Sequence, residues 1–343
     1  MSALLIVGHG TRDEDGAAEF RKFVRRVETR AVERGAADAV AGGFIELSPP
    51  PLKDAVAGLV EAGHRDLTAV PLILLAAGHA KGDIPAALAR ERERHPGMRT
   101  KYARPLGPHP VILDLLRERL VESLSATEPD AVLLVGRGTT DPDANADLYR
   151  AARLLWETTR DLGIRQVEAA FVSLAEPSVP EGLDRLRALG ARRVLVLPFF
   201  LFPGVLPTRI HTQVGAWLAD SDLNVSVADV IGDCDELADL VLERYLEADG
   251  RGGAPVGMNC DACVYRIALP GFEARVGQEQ RPHDHPDDPA HQHGHPHTHH
   301  HEHSEDHSHA HRHGTAADLR PEVRSIPETR LSRSVGPPPP AMG

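Results

Sequence analysis

Three residues in the first quarter of the chain have the types and settings to do chemistry. His9 sits in "VGHG", His79 in "LAAGHAKGD" and Glu46 in "FIELS". A neutral imidazole binds borderline divalent metals and also accepts protons near pH 7. Two imidazoles and a carboxylate therefore suit a reaction in which a divalent cation is held on one side while protons leave its acceptor. An open, incomplete ligand set fits that task better than a closed tetrahedral one, which would grip the ion too tightly. Gly8 and Gly10 flank His9 and allow a sharp turn and close approach of a bulky ligand. Thr11, Asp13 and Asp15 are capping types. The helix they open is expected to offer amide groups and a positive dipole end to an acidic substituent, with Arg12 as a bidentate partner. Gly8, Gly10, Thr11 and Arg12 are thus candidate substrate-binding residues.

The elements that must position these residues alternate. Strands are expected near Ala3–Val7, Ala39–Glu46, Asp66–Leu75 and Arg99–Ala103. Amphipathic helices are expected near Gly16–Arg34, Pro51–Ala62, Gly82–His95 and His109–Ser125. Runs such as "VPLILL" are nearly continuous in apolar residues, as in parallel strands buried on both faces. The alternation predicts an α/β, doubly wound layer structure with right-handed crossovers. Ligands bind such sheets beyond the carboxyl ends of the strands, where the strand order reverses. With the order 2-1-3-4, Glu46 ends strand 2, His9 follows strand 1 and His79 follows strand 3, all along one rim.

The chain repeats itself once. "ALLIVGHGTRDEDG" from Ala3 matches "AVLLVGRGTTDPDA" from Ala131, and "FIELSPPPLKDAVAGL" from Phe44 matches "FVSLAEPSVPEGLDRL" from Phe171. Pro71 likewise answers Pro198. This is a duplicated domain; a solenoid would repeat over a shorter period. The expected organisation is one domain over 1–126 with the active site and a degenerate copy over 127–250. A Cys-x-x-Cys segment over 251–270 and a disordered His-rich and Pro-rich tail over 271–343 follow. In the second copy Arg137 stands for His9, Ser173 for Glu46, and Val205 or Leu206 for His79. A cleft is expected between the domains or beside one of them.

The 343 residues suffice for two domains, and the 41% hydrophobic content suffices for real cores. A net charge of −12 argues against nucleic acid as the main partner, because phosphate binding needs clustered cations. No secretory signal and no apolar stretch of spanning length is read, so neither export nor a membrane is expected. Three cysteines, Cys234, Cys260 and Cys263, do not suggest a disulfide framework; a reducing cytoplasm is the expected compartment. Fourteen of the 20 histidines fall between His283 and His313. His64, His95, His109 and His211 read as surface or capping residues at helices. The glycine loop lacks the dinucleotide spacing and there is no Walker lysine, so no nucleotide is expected.

The motifs "GHGTRD", "FIELSPPPL" and "VPLILLAAGHAKGDIP" resemble the sirohydrochlorin chelatases of the CbiX type. The double-length body, "MNCDAC" and the histidine-rich tail are similar to the long form of that family. The resemblance implies a class II chelatase fold of two Rossmann-like domains. It implies insertion of Co2+ or Fe2+ into sirohydrochlorin without ATP. The metal must be held on one face while two pyrrole N–H protons leave. It places the paired metal-binding and proton-accepting histidines at His9 and His79, and an acidic residue near the site at Glu46. It also implies an iron–sulfur cluster on Met258, Cys260 and Cys263.

Two cysteines supply only half of a four-thiolate set. Cys234, in "GDCDE" opposite "GPHPV" of the first half, reads as a partly buried helix-start residue. A cluster would then need a second chain or other ligands, which leaves the molecule a monomer, or a dimer if the cluster is shared. A redox dithiol and an unligated pair are the other readings. The tail resembles a store for Co2+, Fe2+ or Ni2+, its alternative being a solubilising segment; imidazoles alone do not select cobalt. Cobalt and cobalamin synthesis come first, sirohaem synthesis by a ferrochelatase second. Two readings from other classes remain in view. A histidine phosphatase would need an arginine where Gly8 stands, and a nickel or cobalt storage protein would make the body a passive carrier.

Overall fold

A computed structural model describes residues 2–252 and, beyond them, Ala274 alone. The Cys260–Cys263 pair and the histidine-rich tail lie outside the described residues.

The first half runs β1 (Ala3–Gly8), α1 (Glu14–Glu33), β2 (Val40–Phe44), α2 (Leu52–Glu61), β3 (Asp66–Pro71), a π-helical turn (His79–Asp83), α3 (Ile84–Arg94), β4 (Arg99–Tyr102) and α4 (Pro110–Thr127). The second half runs β5 (Ala131–Gly136), α5 (Pro142–Thr158), β6 (Gln166–Phe171), α6 (Val179–Ala188), β7 (Arg193–Pro198), α7 (Val205–Leu218), β8 (Asn224–Val227) and α8 (Asp235–Asp249). Each half forms one parallel sheet, ordered β2-β1-β3-β4 and β6-β5-β7-β8. The 2-1-3-4 order read from the sequence is the order found, so both sheets have their reversal point beside the central strand.

Two strands stop earlier than the apolar pattern suggests. β2 ends at Phe44 and β3 at Pro71, not at Glu46 and Leu75. Their shared neighbour β1 ends at Gly8, so past Phe44 and Pro71 there is no strand left to pair. His79 also does not sit in a plain loop. It opens the π-helical turn that leads into α3.

β1 and β5 are buried along their whole length, with alternate side chains on opposite faces. Leu5 and Val7 pack with Val56 of α2 and Leu88 of α3 on one face. Leu4 and Ile6 join the large core on the other face, which includes Phe20 and Phe23 of α1. That large core also holds Leu237, Leu240 and Val241 of α8, because each half ends in a helix that covers the sheet of the other half. α8 packs on β3, β4 and α1, while α4 packs on β7 and α5. Tyr245 of α8, fully buried, donates its hydroxyl proton to the carbonyl of Ser2 at 2.5 Å.

Outside this apolar seam α1 and α8 are laced by charge. Arg30 binds Asp239 in a two-pronged pair at 2.5 and 2.6 Å, and Arg26 binds Asp233 at 2.5 Å. Arg34 also reaches Asp239 at 2.5 Å. The hydrogen bond from Arg30, with the nearby cationic charge, holds the Asp239 carboxyl below its usual range. A carboxyl depressed in the folded state stabilises at neutral pH. That contribution is whole above the ordinary carboxylate pKa and is lost as pH falls through the folded value. Asp239→Asn is expected to cost about 0.5–1 kcal/mol at neutral pH and low salt, and to flatten the loss of stability below about pH 4. Urea unfolding at several pH values and salt concentrations measures both; a cost that stays constant in acid and in molar salt would exclude the electrostatic role.

Candidate functional site

The rim of the first sheet is built by backbone contacts before any side chain acts. Beyond β1 and β2 the chain keeps pairing irregularly: Ile45 N–H donates to Gly8 O at 3.0 Å and Glu46 N–H to His9 O at 3.1 Å. Gly10 makes this possible. Its φ is +109°, and a Cβ there would lie 1.8 Å from the Glu46 carbonyl oxygen. A Cβ on Gly8 would meet Phe20 at 2.8 Å and Phe44 at 3.0 Å. The two glycines thus make room for the chain itself. Thr11 is held by Ser48, whose Oγ accepts from the Thr11 amide at 3.0 Å. The start of α1 is also occupied. Asp13 caps it by accepting from Gly16 N–H at 2.9 Å, and Thr11 Oγ1 accepts from Asp13 N–H at 3.1 Å. The Gly16 amide is thus committed to the chain's own Asp13. Arg12 is exposed on the rim.

His9, Glu46 and His79 converge. His9 Nε2 lies 2.7 Å from His79 Nε2 and 3.1 Å from Glu46 Oε1. The rings meet edge-on at 78°, so nitrogens face each other, not ring faces. Among the described residues these three form the group whose ligand atoms are close enough to share one metal ion. Exposure rises from 10% at the His79 side chain through 27% at His9 to 34% at Glu46. The site is therefore anchored at its floor and open at its mouth.

The other ring nitrogens decide what the pair can do. His9 Nδ1 is 3.0 Å from the Gly10 carbonyl oxygen, and His79 Nδ1 is 2.6 Å from Asp83 Oδ2. Both partners are acceptors, so each Nδ1 carries the proton and each neutral ring turns the Nε2 lone pair inward. Two lone pairs and a carboxylate oxygen then point at one spot, where only a cation satisfies them. Bonds of about 2.0–2.1 Å in a tetrahedral arrangement would set the two nitrogens roughly 3.3 Å apart. The pair needs to open by only about half an ångström. Asp83 was missed by the sequence reading, although its i, i+4 spacing from His79 carried the signal. Its carboxylate fixes the orientation of the His79 ring.

The copy in the second half has the same backbone and different chemistry. Ser173 N–H donates to Arg137 O at 3.1 Å, and a Cβ on Gly138 would lie 1.9 Å from Ser173 O. Arg137 is half-buried, and its burial disfavours the charged guanidinium more than the negative charge of Glu46 favours it. The supposedly idle rim therefore places a cation within the field of the first site. Lys81, between His79 and Asp83, reaches across to Asp141 and Asp143 at 2.8 and 2.9 Å. Neither the Lys81 contact nor the influence of Glu46 on Arg137 was legible from sequence.

The histidines read as bystanders behave so. His109 Nδ1 accepts from Val111 N–H at the start of α4, His95 closes α3 and His211 is exposed. Cys234 stands at the start of α8, half-buried, with its thiol pushed up to about 11 by burial. Burial keeps it protonated at neutral pH.

Asp83→Asn is expected to weaken Co2+ binding at the three-residue site by about 10–100-fold while the fold persists. Visible absorption titration of the full chain reads this, taken as the difference from His79→Ala, which keeps the tail imidazoles. Unchanged affinity would remove Asp83 from the site.

The CbiX family profile matches residues 3–123 and 131–248, one match per half. A sirohydrochlorin cobaltochelatase of Priestia megaterium is 37% identical over 274 residues, which cover 78% of this chain and 86% of that protein. A sirohydrochlorin ferrochelatase of the same organism is 32% identical over 243 residues, covering 70% and 88%. The sirohydrochlorin chelatase SirB from Bacillus subtilis subspecies spizizenii, solved with cobalt, aligns with a TM-score of 0.60 at 28% identity, covering 74% of this chain and 98% of that one. Two profile matches spanning both halves, and a relative of this identity along most of the length, make the chain a member of the CbiX family.

Proposed function

We propose that the protein is a sirohydrochlorin chelatase that inserts a divalent metal without ATP, with Co2+ as the metal and Fe2+ as the second choice. The observation that carries this is the convergence of the His9 and His79 Nε2 atoms with Glu46, both Nδ1 atoms being committed elsewhere. The incoming ion is a substrate, bound at the mouth of the site by three protein ligands and left open for the macrocycle.

The same two nitrogens serve both halves of the exchange. As the ion passes into the tetrapyrrole, the Nε2 lone pairs are released. Two pyrrole N–H protons then need acceptors, and those lone pairs take them. One divalent cation leaves and two protons arrive, so the charge of the site is conserved. Glu46 and Asp83 offset the two imidazolium charges that result. Arg137, Arg12 and the rim around Gly8, Gly10 and Thr11 face the acidic substituents of the substrate. Arg137 is the better placed cation, being already within the field of Glu46.

The metal preference rests on relatives of both names along most of the chain, the cobaltochelatase at 37% identity and the ferrochelatase at 32%. Turnover of sirohydrochlorin with competing Co2+, Fe2+ and Ni2+ decides it. His9→Ala and His79→Ala are each expected to lower insertion at least 100-fold, an order of magnitude set by the loss of a ligand that is also a proton acceptor. Near-normal turnover of both variants would discard the site. Residues 283–313 are proposed to raise the local metal supply without entering the reaction. Truncation after Gly271 should leave the rate at saturating Co2+ unchanged and slow insertion only when free Co2+ is buffered low. A large loss at saturating metal would make the tail part of the active site, and a body inert with or without the tail would favour metal storage.

A further inference from the structure

The second half carries none of the three converging side chains, yet it is bonded to the turn that presents one of them. Lys81 lies at the middle of the π-helical turn His79–Asp83. Its ammonium donates to Asp141 Oδ2 at 2.8 Å and to Asp143 Oδ2 at 2.9 Å. The side chains are 3%, 2% and 11% exposed, so this is a buried cation between two buried carboxylates. Asp141 is itself fixed as the cap of α5, accepting from the Asp143 amide at 3.1 Å. From its own half the turn is steadied by Tyr102, whose hydroxyl donates to Ala80 O at 2.7 Å.

The duplication supplies a control within the molecule. Thr208 occupies the position of Lys81, and Asp13 and Asp15 those of Asp141 and Asp143. Thr208 Oγ1 donates only to Gly204 O of its own helix, at 3.0 Å, and Asp13 caps its own helix through Gly16. Ile210, in the position of Asp83, is fully buried in the apolar core. The cross-half ion cluster exists on one side of the pseudo-symmetry, and it is the side with the histidines.

We propose that Lys81 is a positioning residue through which the second half sets the place of His79 relative to His9 and Glu46. This rests on the reading of those three residues as a metal site. Lys81 touches neither ion nor macrocycle. It ties the backbone on both sides of itself, and so His79 and Asp83, to the first turn of α5. The distance between the two Nε2 atoms is then a property of how the halves are joined. The second copy, having lost its own ligands, serves as the frame against which the surviving site is held.

The test uses the full chain with two variants. Lys81→Met alone would strand two carboxylates, so Lys81→Met/Asp141→Asn/Asp143→Asn is made, which turns the whole cluster neutral and leaves no stranded charge, Asn being an equally good helix cap. Asp143→Asn, which keeps the Lys81–Asp141 pair, is made beside it. The triple variant is expected to bind Co2+ at the three-residue site about tenfold more weakly, the scale of an outer-shell partner, with Asp143→Asn between it and the parent. The readout is the difference titration against His79→Ala, recorded well below the thermal midpoint. With sirohydrochlorin, kcat per folded chain is expected to fall and the KM for Co2+ to rise while KM for the tetrapyrrole is kept; a loss of folded fraction alone would leave both KM values unchanged. Parent-like Co2+ affinity and kcat in a folded triple variant overturn the proposal. Should the triple variant not fold, parent-like affinity in Asp143→Asn overturns it instead. The metal titration needs no tetrapyrrole, so an absence of insertion by the parent chain would sink the chelatase reading alone.

Discussion

The structure depends on the exchange of the last helix of each half. α8 closes the first sheet and α4 closes the second, so neither sheet has a complete apolar face from its own residues. A parallel sheet is stable only when both faces are covered. Burial of the β3 and β4 face and of α1 under α8 is therefore burial between halves. The hydrophobic effect that folds each sheet also joins them, and the arginine–aspartate lacing of α1 and α8 follows on the outside.

That joining gives the site its geometry. The rims at the carboxyl ends of the two sheets are brought close enough for Lys81 to meet Asp141 and for Arg137 to act on Glu46. One rim holds two imidazoles and two carboxylates. The other contributes charges that balance and steady them. An open metal site needs such support, because a ligand set left incomplete for the substrate cannot hold its own geometry by coordination alone.

Comparison of the two halves separates scaffold from chemistry. Gly10 and Gly138 have positive φ values and the same close approach of a carbonyl, from Glu46 in one half and Ser173 in the other. The glycines therefore belong to the fold. Leu47 and Leu174 share the left-handed conformation just after those residues. What differs between the halves is His9 against Arg137, Glu46 against Ser173, and Asp83 against Ile210.

Much of this was legible in the residues themselves. Continuous apolar runs such as Leu4–Val7 specify buried parallel strands, and their alternation with amphipathic segments leaves few ways to wind the chain. The strand order then brings His9, Glu46 and His79 to one rim, because strand ends carry side chains to places that topology fixes. The duplication showed that only one of the two rims carries the two histidines and the glutamate. Other features needed the tertiary structure. The glycines beside His9 look the same in sequence whether they face a ligand or a neighbouring carbonyl; only the approach of Glu46 O to Gly10 tells them apart. The π-helical turn that aims His79 and Asp83 inward depends on contacts from β4 and α5, which are distant along the chain. Neither the helix exchange nor the Lys81 cluster has a local signature, since amphipathic helices and surface-type charges read alike whichever sheet they cover. Local periodicity determines that a face is buried, and only the packing of one half on the other decides against what.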